Sequence, residues 1–169
     1  MKRGIIALLG CLLLTGCAAQ ESTPVTLTSE SLHDGTWDAV ITHTDAGEDR
    51  SPQLTWTPVE GAACYRVFML DPDGGNWLHW KSGPLTQTQL PEGAAAPETY
   101  VGPYPPAGQT HTYVVCVAAL REDAEAPGQL DAANDGLTQE ALRTALDTPP
   151  GNVLAWGTLE GRYTVRDER

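Results

Sequence analysis

The chain has 169 residues, 41% hydrophobic and 19% charged, a composition that fits one globular domain with appendages and excludes a disordered or fibrous chain. Its 10 basic against 22 acidic residues give a net charge of -12, with no basic patch interleaved with aromatics, so no nucleic-acid partner is expected. One Phe beside 17 Gly and 13 Pro points to a turn-rich β protein, not a helical bundle.

Residues 1–16 read as a lipoprotein signal peptide. Lys2 and Arg3 form a basic start, Gly4 to Leu14 an apolar run too short for a typical membrane span, and Leu14-Thr15-Gly16-Cys17 is similar to a bacterial lipobox. Cleavage before Cys17 would expose a cysteine for acylation, and several acyl chains together hold a protein stably on a membrane. The expected location is the bacterial cell envelope, on the extracytoplasmic side of a membrane. Without Lys2 and Arg3 the net charge moves from -12 to -14. Residues 17–30 are polar without periodicity and are expected to be a tether, with a single domain over 31–169.

Along the domain, strands are expected at Trp37–Thr44, Gln53–Thr57, Cys64–Leu70, His111–Leu120, Asn152–Leu159 and Arg162–Val165. Cys64–Leu70 and Tyr113–Leu120 are nearly continuous apolar runs, which suits central strands covered on both faces. One helix stands out: Thr138 can cap it, Leu137, Ala141, Leu142, Ala145 and Leu146 recur at helical spacing, and Pro149-Pro150 ends it. Ala124–Asp135 reads as an acidic loop. With Cys11 discarded and Cys17 acylated, Cys64 and Cys116 remain, either as a disulfide between neighbouring strands or as two separately buried thiols.

Two stretches carry the chemistry. In DPDGGNWLHW (71–80), Asp71, Asp73 and the glycines make a turn, and His79 sits between Trp77 and Trp80. In YVGPYPPAGQTHTY (100–113), Gly102, Pro103, Pro105, Pro106 and Gly108 build a stiff loop that leads into His111 and Tyr113, which share one face of a strand. Two carboxylates, two imidazoles and a phenol beside rigid loop donors suit a small oxyanion such as phosphate, with the aspartates orienting the imidazoles and helping them stay protonated. Neither stretch contains arginine, so a modest affinity is expected.

Catalysis is less well supported. An EF-hand lacks its alternating ligands and terminal glutamate after Asp73, and a metal site from Asp71, Asp73, His79 and His111 has no recognisable spacing. No G-x-S-x-G elbow or glycine-rich phosphate loop occurs, and Cys64 and Cys116 lie in apolar runs, not electropositive clefts. No metal or cofactor is therefore expected.

Together the two stretches resemble the phosphatidylethanolamine-binding proteins, which include the Raf kinase inhibitor proteins, and the bacterial branch above all. SPQLTWTPVEGA (51–62) is similar to the family's SPxLxW segment, DPDGG to its Asp-Pro-Asp turn, NWLHW to its Trp-x-His segment, and YVGPYPPAGQTHTYVV (100–115) to its Gly-Pro-x-Pro-Pro-x-Gly loop and following His-Arg-Tyr. The tail from Leu142 to Tyr163 resembles the bacterial closing helix and strand. The resemblance implies a large antiparallel sheet on a smaller one with peripheral helices, and a small anion pocket at one end of the central sheet. That pocket would hold Asp71, His79, Gly102, Pro105, Pro106, His111 and Tyr113, supported by Asp73 and Trp77, and would accept phosphate or phosphoethanolamine-like groups. The family's arginine after the second histidine is Thr112 here.

The expected role is non-catalytic binding of a small anionic ligand by a protein that meets the membrane through its acyl anchor. A protein partner is not identified by the sequence. Two other readings are a hydrolase or metalloenzyme using the Asp/His cluster and a surface interaction module. The latter rests on SPQLTWTPVEGAACYRVFML, whose Trp and Tyr strands also resemble a fibronectin type III domain.

Overall fold

A computed structural model describes residues 24–166. The proposed signal peptide and Cys17 lie outside the described residues. Among the described residues, nine strands and one α-helix form two sheets and their cover. The strands are β1 (Leu27–Thr28), β2 (Leu32–His33), β3 (Thr36–Trp37), β4 (Leu54–Trp56), β5 (Cys64–Asp71), β6 (Trp77–Lys81), β7 (Gln89–Leu90), β8 (Thr110–Leu120) and β9 (Val153–Thr164), with α1 (Gln139–Leu146) before the last strand. The larger sheet runs β2-β3-β9-β8-β5-β6 and the smaller β1-β4-β7. All neighbours are antiparallel except β3 and β9, which meet briefly in parallel where Thr36 faces Arg162. The mainly β architecture of a large sheet on a smaller one is the one expected.

The apolar runs in β5 and β8 become intelligible from their two covered faces. Tyr65, Val67 and Met69 of β5, with Tyr113, Val115 and Val117 of β8, pack toward the small sheet around Trp56, Leu54 and Leu90. The alternate residues Phe68, Leu70, Val114, Cys116 and Ala118 pack on the opposite face under Leu142 and Leu146 of α1. Strands buried on both sides lose the alternation of half-exposed ones. Thr138 caps the helix as expected: its hydroxyl accepts from the Ala141 amide at 3.1 Å.

Three sequence expectations are corrected. The folded part begins before residue 31, because Val25 and Leu27 are buried and Leu27 pairs with Trp56 of β4. Two apolar residues in a polar run are too few to register as a period. Trp37–Thr44 is a strand only through Trp37; a 3-10 turn over Ala39–Ile41 follows and buries Ile41. The two strands expected after Asn152 are one, β9. Gly157 and Gly161 look like breaks but make room: a Cβ at Gly157 would lie 2.5 Å from the Val25 carbonyl oxygen, and one at Gly161 2.6 Å from Trp37 Nε1.

Cys64 and Cys116 are both free and buried. Their strands are neighbours, but Cys64 faces Leu120 and Cys116 faces Phe68, four residues out of register along the strand. At about 3.3 Å per residue that offset is roughly 13 Å, far beyond disulfide reach. Among the described residues, no helix is long and apolar enough to cross a membrane.

Candidate functional site

The site forms where β5 ends, β8 begins and β6 runs beside them. Asp71 is the last residue of β5 and only 4% exposed. One carboxylate oxygen accepts from the Gly74 amide at 2.9 Å, closing the turn on itself. The other lies 2.6 Å from His111 Nδ1. A Cβ on residue 74 would come within 2.8 Å of that second oxygen, so Gly74 lets the turn fold tightly over the carboxylate. Because a carboxylate accepts, His111 donates from Nδ1 and its Nε2 is the outward nitrogen, 3.4 Å from the Gln109 side-chain oxygen.

His79 owes its position to an irregularity in β6. Met69 faces Trp80 and Leu70 faces Leu78, so His79 is the extra residue of a β-bulge. Its neighbour Leu78 packs in the helix-side core, whereas Trp80 lies in the core between the sheets and His79 meets Tyr113 edge-on at 5.2 Å. The bulge thus turns two consecutive side chains toward the same side. His79 Nδ1 lies 2.8 Å from the Val101 carbonyl oxygen, and the His79 carbonyl accepts from the Val101 amide at 2.8 Å. A carbonyl can only accept, so Nδ1 carries the hydrogen and Nε2 is left free.

Burial lowers the pKa of His79 below the ordinary imidazole value of 6.5, against the opposing pull of the Val101 carbonyl and the Asp71 carboxylate. The expectation that the aspartates keep this imidazole protonated is therefore reversed: desolvation outweighs them, and His79 is neutral at neutral pH. Tyr113 is fully buried beneath both imidazoles, stacked with His111 at 6.4 Å, and burial raises its phenol pKa strongly. Its hydroxyl has no hydrogen-bond partner among the described residues.

A cavity of about 390 Å³ opens above these groups. Of the residues singled out in the sequence, Asp71, Trp77, His79, Gly102, Pro106 and His111 line it. Three do not. Asp73 is exposed and accepts from the Thr112 amide at 2.7 Å, tying the turn to the start of β8. Pro105 is buried behind the loop, and Tyr113 forms the floor under the imidazoles.

The wall also contains His43, Gly74, Val101, Tyr104 and Asp131, which are not among the expected site residues. His43 comes from the loop after the 3-10 turn. Its Nδ1 lies 2.8 Å from one oxygen of Asp49, whose other oxygen accepts from the Gly102 amide at 2.5 Å. The two loops touch so closely that a Cβ on residue 102 would sit 2.7 Å from the His43 amide nitrogen. Asp131 belongs to the acidic loop, which pairs with the outer edge of β6 through the Asp131 amide and the Leu78 carbonyl at 2.9 Å. Its carboxylate accepts from Trp77 Nε1 at 3.3 Å. Nothing near His43 or Asp131 in the sequence signals a site; only the loop contacts bring them in. Among the described residues, no three His, Cys, Asp or Glu side chains are grouped as a metal would require.

The sequence family model of the phosphatidylethanolamine-binding proteins matches residues 28–164, covering both histidine stretches and β2 through β9. The chain belongs to this family. Two Mycobacterium tuberculosis strains each carry a protein described as "Putative lipoprotein LppC" that is 32% identical over 159 residues, 85% of this chain and 76% or 74% of theirs. Among solved structures, Escherichia coli YbcL, described as a member of the mammalian PEBP family, superposes with a TM-score of 0.62 at 24% identity, over 85% of this chain and 100% of that one. A Chlamydia trachomatis protein described as a "Putative PhosphatidylEthanolamine-Binding Protein (PEBP) Homolog" gives 0.60 at 24% identity, over 83% and 97%. Both establish the shared fold. The family match displaces the fibronectin reading, whose Trp and Tyr are Trp56 and Tyr65, packed edge-on at 5.6 Å between the two sheets.

Proposed function

We propose that this family member is an envelope lipoprotein, held to a membrane by acyl chains on Cys17, whose domain binds a small phosphate- or phosphoethanolamine-like anion without turning it over. The observation that carries the ligand reading is the convergence of the Asp71–His111 pair and His79 on one cavity, each imidazole using Nδ1 internally. The remaining Nε2 of each ring accepts from a ligand P–OH where the ring is neutral and donates to a ligand oxygen where the ring is protonated. Binding without turnover is favoured because no serine, threonine or cysteine is among the lining residues, and burial raises the pKa of both Cys64 and Cys116. The anchor reading is supported by the lipobox-like Leu14–Cys17 and by the description of the mycobacterial relatives as lipoproteins.

Crystals soaked in inorganic phosphate or phosphoethanolamine test the ligand. Density against His79 and His111 is expected; a metal ion there would favour the metalloenzyme reading, and an unoccupied cavity with the ligand elsewhere would end the proposal. Fractionation of cells expressing the chain tests the anchor. Cys17→Ala is expected to move the protein out of the membrane fraction and to abolish incorporation of labelled palmitate.

A further inference from the structure

The chain enters the folded domain at the end of the large sheet farthest from the cavity. Val25 is buried, and its amide donates to the Trp156 carbonyl at 3.4 Å, near the start of β9. Gly157 admits it there, since a Cβ on residue 157 would lie 2.7 Å from the Val25 Cβ. Farther on, the Arg162 amide donates to the Gly35 carbonyl at 2.8 Å. From Val25 to Gly35 the chain therefore advances in the direction of β9, toward the cavity end, where Tyr163 faces His111. It comes in from the opposite end, where Val153 faces Leu120.

Lengths decide what this polarity means. Gly108, between the lining residues Pro106 and His111, donates to the Val165 carbonyl at 2.8 Å. Val165 stands nine residues beyond Trp156, roughly 30 Å at the usual rise of a strand. Only residues 18–24 separate Cys17 from Val25. Eight Cα steps span at most about 28 Å when fully extended, and a flexible chain of that length averages roughly 16 Å. A domain held through Cys17 therefore lacks the reach to stand with its cavity rim on the bilayer. Its net charge of -14 once Lys2 and Arg3 are removed also gives anionic headgroups nothing to attract.

We propose that anchor and cavity lie at opposite ends of the domain, so that the cavity opens away from the bilayer that holds the protein. It then takes a water-soluble phosphate ester from the extracytoplasmic solution, and the headgroups of its own membrane stay out of reach. This inference rests on the anchor and anion readings above; the separation of Val25 from the cavity stands without them.

The full-length chain, purified from membranes and reconstituted into vesicles of digalactosyldiacylglycerol, a lipid without phosphate, tests this in two ways. A fluorophore is placed at Ala107→Cys on the rim or at Glu60→Cys, beside the glycine whose Cβ would touch Leu154 at the start of β9. Both positions are exposed, whereas Cys64 and Cys116 are buried and do not compete for the label. Energy transfer to a headgroup-labelled lipid is expected to be stronger from residue 60 than from residue 107; equal or stronger transfer from residue 107 would overturn the inference. Binding of inorganic phosphate is then measured with and without phosphatidylethanolamine in the same vesicles. The dissociation constant is expected to stay within about twofold, although headgroups within reach of a short tether would compete at millimolar effective concentration. Free glycerophosphoethanolamine is expected to raise it. Competition by the bilayer lipid, or none by the free ester, would contradict the proposed source of the ligand. Intact mass separates the causes of failure: a chain without acyl groups on Cys17 would end the anchor reading and this inference with it, whereas an acylated chain lying rim-down would overturn this inference alone. Vesicle-bound protein that ignores phosphate while residue 60 stays nearest the lipid would overturn the anion reading and with it the proposed ligand, leaving the orientation standing.

Discussion

Asp71 and His111 are 40 residues apart in sequence, yet they lie 2.6 Å apart, one ending β5 and the other entering β8. The antiparallel register that pairs Leu70 with Val114 carries the two chains past each other at this end of the sheet. Strand pairing alone therefore assembles one side of the cavity, and Gly74 folds the turn over it.

Removing the carboxylate should cost stability as well as binding. Asp71→Ala leaves a largely buried imidazole and the Gly74 amide without their acceptor, a loss of about 2 kcal/mol. Urea denaturation should show a lower midpoint with an unchanged slope.

His79 gives the protein an acid-sensitive element. Its folded pKa lies below its ordinary value of 6.5, so the unfolded chain binds the proton more readily. The stabilisation is fully present above about pH 6.5 and is lost as the pH falls from there through the lowered folded value. His79→Gln should flatten this part of the stability profile in urea melts taken at successive pH values. The same lowered pKa predicts that an anion which takes a hydrogen bond from His79 Nε2 binds more tightly as the pH falls.

The contact between the two loops over the cavity has no slack at Gly102. Gly102→Ala places a methyl group against the Ile41 carbonyl and the His43 amide and should destabilise the fold by about 1–3 kcal/mol. Thermal melts should register the loss, and amide spectra should show disturbance around Asp49 and His43.

Cys64 and Cys116 should stay reduced in the native protein even under oxidising conditions, because their register keeps them apart. Intact mass should reveal no two-dalton loss, and thiol reagents should react with Cys116 only after denaturation, since it is fully buried.

The sequence revealed the fold through its strongest signals. Apolar runs without alternation marked β5 and β8, and the Thr138 cap with its leucine spacing marked α1. Ordered motifs located Asp71, His79 and His111. What it concealed depended on tertiary contact. Strands of two or three residues, such as β1 and β7, have no period to read. The β6 bulge that aims His79 is a matter of pairing with β5, invisible in NWLHW itself. His43 and Asp131 reach the cavity through contacts between loops, including those with Asp49 and Trp77, and the sequence of those loops resembles ordinary polar surface. Desolvation of His79, which reverses its expected charge, likewise arises from packing and not from its neighbours in the chain.

The central claim is that an anion binds between His79 and His111, and nuclear magnetic resonance of the ring nitrogens reads it most directly. Titrating inorganic phosphate into the full-length chain with labelled histidines should shift the Nε2 signals of His79 and His111 together, with one dissociation constant, while the exposed ring of His33 stays still. Saturating phosphate that leaves both Nε2 signals unmoved would contradict the account.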